Sequence, residues 1–231
     1  MNYCDGKCNG FTLAEVLITL VIIGVIAAIT VPTLIVKYQK EQTVIRLKKA
    51  YSTIAQTTQK AIADNGPITT WEVNNATFAD KYLVPYLNVA RNCRFDRTTS
   101  GCNPKHAPLN DQSNLQDYSN SNYIFYLSDG TIVIVNAVNE SGGRKYANIS
   151  FDINGMKKPN VSGKDIFSFR YEIYWANSPT QTGKFFPTDF SFDRNSALNY
   201  PNWGCNKNAS GTYCATVIMK DGWQIKDDYP W

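Results

Sequence analysis

Gly10-Phe11-Thr12-Leu13-Ala14-Glu15, followed by an apolar run through residue 36, decides how the rest of the chain is read. Between residues 11 and 36 the only ionisable side chain is Glu15. The run is rich in Leu, Ile, Val and Ala, and at about 1.5 Å rise per residue such a helix crosses a hydrocarbon layer of about 30 Å. A lone carboxylate one turn inside such a run is costly unless it finds a partner. Residues 1–10 are polar and end in Gly, the look of a leader that a peptidase removes. Cutting after Gly10 exposes the amine of Phe11 one helical turn from Glu15. The competing reading is an ordinary secretory signal peptide, for which Ala27-Ala28-Ile29-Thr30 is a weak cleavage site, or an uncleaved anchor. It explains neither Gly10-Phe11 nor a Glu inside the apolar core.

These residues closely resemble the N-terminal signature of type IV prepilins and type II secretion pseudopilins. The resemblance covers residues 10–62 and is only architectural beyond them. It implies that a prepilin peptidase cuts after Gly10 and methylates Phe11, that Glu15 is used in filament assembly, and that Pro32 is a helix-breaking position. It also implies a bacterial inner (cytoplasmic) membrane protein, single-pass with an exported C-terminal head, that moves into a pilus or pseudopilus. The partners implied are the peptidase, other pilin or pseudopilin subunits, the inner-membrane assembly platform and the membrane itself. Nucleic acid enters only if the chain serves DNA uptake. On this reading residues 1–10 are leader, 11–36 the transmembrane and assembly helix, 37–63 its amphipathic half, and 64–231 a globular β-rich head.

The 231 residues suffice for one anchor and one domain with a substantial core. Fourteen Tyr, eleven Phe and five Trp against 18% charged residues describe a folded head rather than a disordered tail. A net charge of +4 is too weak to argue for nucleic acid. Six cysteines stand at positions 4, 8, 93, 102, 205 and 214. Cys4 and Cys8 fall in the leader. The other four form two local pairs, Cys93 with Cys102 and Cys205 with Cys214, which in an exported domain read as disulfides. A zinc site is the alternative, against which stand the absence of C-x-x-C spacing and a single His. Orientation carries a conflict. Lys7 precedes the span while Lys37, Lys40, Arg46, Lys48 and Lys49 follow it, which by charge alone keeps the large domain inside. The signature and the paired cysteines argue the reverse, and the basic residues have another place, on the helix.

Val44, Leu47, Tyr51, Ile54, Thr58 and Ile62 recur at helical spacing and form one largely apolar face. Asp64-Asn65-Gly66-Pro67 then stops the pattern, so one helix is expected over residues 12–63, with Gly24 and Pro32 as its weak or kinked points. Residues 76–86 have a helical flavour. Strands are expected at 122–127, 131–138, 145–153 and 166–175, a four-stranded antiparallel meander whose one face covers the amphipathic half of the helix. Residues 176–202 read as loop, and 215–219 with 223–225 as a second hairpin around Lys220-Asp221-Gly222. The fold class is therefore α+β, a long N-terminal spine helix packed on a small antiparallel sheet.

No nucleophile elbow, phosphate loop or zinc-protease motif is present, and the lone His106 reads as a solvated loop residue, so the chain is not read as an enzyme. The best candidate site is the loop of residues 152–165, where Asp152, Asn154, Asn160 and Asp165 offer oxygen ligands suited to calcium. Asx turns explain the same residues. No other cofactor is indicated. Structural subunit and minor binding subunit (DNA uptake, adhesion or cargo recognition) remain as the two functional readings.

Overall fold

The computed structural model describes residues 11–231. The chain divides into two compact units, Met1–Glu41 and Gln42–Trp231. Helix α1, Leu13–Asn65, has residues in both. In the first unit Thr12 and Glu15 make a capping box: Glu15 N donates to Thr12 Oγ1 at 3.3 Å, and Thr12 N donates back to Glu15 Oε2 at 2.8 Å. Helical structure continues through Gly24 and Pro32. In the second unit α1 ends where Gly66 takes φ +81° and its N–H bonds the carbonyl of Ile62 at 2.9 Å, with Pro67 barring continuation.

The head is built on a six-stranded sheet of β1 (Val89–Arg94), β4 (Tyr123–Leu127), β5 (Ile132–Ser141), β6 (Arg144–Asp152), β7 (Ile166–Trp175) and β8 (Lys184–Pro187), in that spatial order. Every pairing in it is antiparallel. The expected meander forms its centre. The β4–β5 turn closes through Gly130 at φ +89° and Thr131 N donating to Asp129 Oδ1 at 3.1 Å. Two edge strands extend the meander: β1 lies in the polar stretch before it, and β8 lies in residues expected to be loop. A two-stranded hairpin, β2 (Lys105–His106) with β3 (Gln116–Asp117), stands apart from the sheet.

Strand alternation divides the side chains between two faces. One face carries Tyr123, Phe125, Val133, Ile149, Phe169 and Tyr171 into the main core, which also contains Leu47, Ala50, Ile54 and Ala61 of α1. Tyr51 packs its ring 5.6 Å from Phe169 and 5.5 Å from Phe185. The buried Thr58 hydroxyl bonds both the Ile54 carbonyl and the Tyr171 hydroxyl. Helix α2 (Asn75–Tyr82) closes this core, with Trp71 stacked on Tyr82 at 4.3 Å. Each large side chain enclosed here contributes about 1.5–3 kcal/mol. The opposite face holds a smaller cluster of Ile124, Ile132, Ile134 and Tyr118 beside the first disulfide.

Two expectations are corrected. Residues 176–202 contain, besides β8, the helix α3 (Arg194–Asn199), whose N-cap Asp193 accepts from Ser196 N at 3.0 Å. The second hairpin is a helix, α4 (Cys214–Lys220). Its residues 214–218 are all buried, where a half-exposed strand would alternate. Gly222, at φ +72°, follows the helix end: Asp221 N bonds Val217 O at 2.9 Å and Gly222 N bonds Met219 O at 3.1 Å. A glycine that reads as a hairpin turn therefore serves as a helix stop.

Candidate functional site

The leader and the Gly10 cleavage position lie outside the described residues. Phe11 stands at their edge, 86% exposed, directly before the capping box. Glu15, the carboxylate expected as an assembly contact, bonds both the N–H and the hydroxyl of Thr12 at 2.8 Å. It thus has a local partner in the free chain and remains on the surface. The large apolar side chains behind it are exposed on every side, Leu20 at 60% and Ile23 at 62%. The segment is long and apolar enough to cross a membrane. Its hydroxyls are turned inward to the backbone: Thr19 bonds Val16 O at 2.9 Å, Thr30 bonds Ile26 O at 2.9 Å, and Thr33 bonds Ile29 O at 3.2 Å. An apolar solvent requires this, since it offers polar groups nothing. A Cβ built at Gly24 would meet nothing within 4 Å, and Pro32 withdraws the donor that would otherwise serve the Ala28 carbonyl.

In the head, two disulfides join Cys93 to Cys102 and Cys205 to Cys214, the local pairing that the spacing predicts. The four candidate calcium ligands do come together. Asp165 Oδ2 accepts from Asn160 N at 2.7 Å and Asn154 Nδ2 at 3.1 Å, and its Oδ1 accepts from Val161 N at 2.6 Å. Asp152 Oδ1 accepts from Asn154 N at 3.2 Å. Asp165 is thus the hub of a hydrogen-bonded turn, while Asn154 Oδ1 is buried with no hydrogen-bond partner. Burial, and after it the charge of Asp165, pushes the Asp152 carboxyl up to about 8. Burial raises Asp165 as well. Among the described residues no group of three or more His, Cys, Asp or Glu side chains is placed to hold a metal ion.

His106 departs from its expected place. It lies in β2, half-buried, with its ring stacked on Tyr118 at 4.2 Å. Burial holds its pKa below the ordinary imidazole value, against smaller opposing pulls from the Gln116 backbone and Asp117. A buried ion pair also escaped the sequence reading: Glu172, fully enclosed on β7, receives Arg144 Nη2 at 2.6 Å and Nε at 3.0 Å. The alternation Phe167-Ser168-Phe169 was a legible sign that β7 has a second, polar face. Only the pairing of strands reveals which polar groups meet there.

Residues 33–231 match the family of unknown function DUF6613, and residues 5–31 match the prokaryotic N-terminal methylation motif. No curated protein and no solved structure matches the chain. The motif ends where the family begins, and both lie along a chain whose helix, capping box and sheet agree with the pilin-type signature: the protein belongs to the DUF6613 family and carries a pilin-type N-terminal methylation motif.

Proposed function

We propose that the chain is a structural subunit of a type IV pilus or a type II secretion pseudopilus, and not an enzyme. The observation that carries this reading is the methylation motif over residues 5–31, running into a helix that is apolar all round. A prepilin peptidase cuts after Gly10 and the new amine of Phe11 is methylated. The helix then holds the chain in the bacterial inner membrane with the head exported, until the assembly platform passes it to other subunits. In the free chain the capping box holds the Glu15 carboxylate on the helix surface, one turn from the Phe11 amine. In the filament the carboxylate takes the cationic amine of a neighbouring subunit as its partner. Gly24 and Pro32 supply the points at which the helix yields when subunits pack.

Mass spectrometry of the exported protein tests the first step, with N-methylated Phe11 as the expected N-terminus. An N-terminus at Met1 or after Ala28 would end the proposal. Glu15→Leu tests the second. Processing should continue while the mutant stays in the membrane fraction and is lost from sheared filaments formed with wild-type subunits. Incorporation at the wild-type level would remove Glu15 from the assembly mechanism.

A further inference from the structure

The sheet face turned away from the main core carries a polar row. Strand alternation places Asn136, Ser150 and Ser168 there, because Val135, Ile149 and Phe169 point into the main core. Asn122, just before β4, joins them. The row is cross-linked: Asn122 Nδ2 donates to Asn136 O at 2.9 Å, Asn136 Nδ2 donates to Ser150 Oγ at 2.6 Å, and the Ser150 and Ser168 hydroxyls lie 3.2 Å apart. Ser150 is 2% exposed and Asn122 7%. Strand interiors favour apolar residues, so the cross-links are what keep a row of amides and hydroxyls at this depth, and only Asn136 Oδ1 of the row is left without a partner.

The β2–β3 hairpin overhangs the row with the His106–Tyr118 stack. On the other side stand Ser210 and Thr212, hydroxyls 2.9 Å apart. Together they line a cleft of about 440 Å³, within the range of small-ligand sites. Three side-chain atoms of residues that line it are buried with no hydrogen-bond partner: Tyr118 Oη, His106 Nδ1 and Asn136 Oδ1. Tyr118 is only 7% exposed. Native proteins seldom leave such atoms unpaired.

The lining decides the ligand class. It contains Asn, Gln, Ser, Thr and Tyr side chains, one imidazole and the apolar Pro108 and Ile166, but no carboxylate, ammonium or guanidinium. The nearby Lys105 and Asp117 pair with each other and stand outside the lining. A charged ligand would meet no counter-charge. An apolar one would strip water from the hydroxyls and amides of the lining. What the cleft matches is an uncharged molecule whose groups both donate and accept at close spacing. We propose that this cleft binds a neutral saccharide, a single sugar ring or the end of a glycan, between the Asn136–Ser150–Ser168 row and the His106–Tyr118 stack. The proposal does not depend on how the helix assembles.

His106 is the only histidine in the chain, so its imidazole resonances report on the cleft without assignment by mutation. The full chain, ¹³C-labelled at histidine and held in a detergent without a sugar headgroup, is titrated with glucose, galactose, mannose and N-acetylglucosamine. Their β-linked disaccharides follow, and inorganic phosphate and acetate serve as charged controls. At least one sugar should shift the His106 signals saturably with a Kd of about 1 mM or tighter, while phosphate and acetate leave them in place. Tyr118→Phe keeps the stacked ring and loses one hydroxyl, and should weaken binding about five- to tenfold. Ser168→Ala, a smaller change, should weaken it in the same direction. Circular dichroism of each variant checks that the head remains folded. The proposal is overturned if no sugar moves the His106 signals, if the anions move them instead, or if both folded variants bind as the parent does.

Discussion

Residues 13–41 and residues 42–65 belong to one helix, and both are rich in aliphatic side chains, yet they differ in what encloses them. In the first stretch Leu17, Ile23 and Ile29 are more than half exposed, and Val16 and Val31 are still 42% and 48% exposed. In the second, Leu47 is 0% and Ile54 1% exposed, while the remaining faces are mostly polar, with Ile45 exposed among them. Hydrophobicity alone says that a surface must be covered. Its angular distribution says by what: a stripe fits one sheet, whereas an all-round surface fits lipid or neighbouring helices.

The contrast is broken most directly by truncating one leucine in each stretch. Leu47→Ala should destabilise the head by about 2–5 kcal/mol, because the cavity lies in a packed core. Leu20→Ala should leave head unfolding unchanged in denaturant titrations. Equal effects would mean that the first stretch is part of the same cooperative core. The head also has covalent ties that the described part of the first unit lacks. Cys205 and Cys214, nine residues apart and fully buried, close a short loop, so replacing both by Ser should cost about 2–3 kcal/mol without altering membrane insertion.

Carboxylates extend the contrast, since Glu15 is exposed and Asp152 is 1% exposed. Asp152 rises from 3.8 to about 8 in the folded head, so the folded state keeps a proton that the unfolded chain has released. Its contribution is fully present below about pH 4 and is lost as pH rises toward 8. Asp152→Asn should flatten that decline and leave the variant about 2 kcal/mol more stable than the parent at the upper end. A parent whose stability does not fall over this window would contradict the burial of the carboxyl.

Smaller effects sharpen the picture of how the second stretch holds the sheet. Thr58→Val removes the hydroxyl shared with Tyr171 and should cost about 1 kcal/mol. The Lys49–Asp129 pair, 2.8 Å apart with the lysine 62% exposed, should contribute less still, about 0.5 kcal/mol, and be screened by salt. A Lys49→Ala effect larger than that of Thr58→Val would mean that charge rather than packing joins this helix to the β4–β5 turn.

Much of the fold was legible because its signals are local. The helix announces itself by period and stops at Gly66-Pro67, and the meander by alternation around Gly130 and Gly142-Gly143. The methylation motif depends on adjacent residues, and the two cysteine pairs on short separations. What escaped depended on partners remote in sequence. β1, with its polar residues, and β8, which ends in Pro187, are short edge strands that look like loop until β4 and β7 supply their hydrogen bonds. Cys214–Lys220 is followed by a turn-like Gly222 and has no periodic stripe, and burial of all of residues 214–218 goes with a helix where alternation was expected. His106 resembled a solvated loop residue until Tyr118, twelve positions on in sequence, stacked against it. The polar row needed four segments, from Asn122 to Ser168, to be brought into register. Sequence alone determined the elements whose stabilising contacts lie within a few residues. Only the tertiary structure decided those whose hydrogen bonds and buried surfaces come from distant segments, because such contacts form once the chain has closed the loops between them.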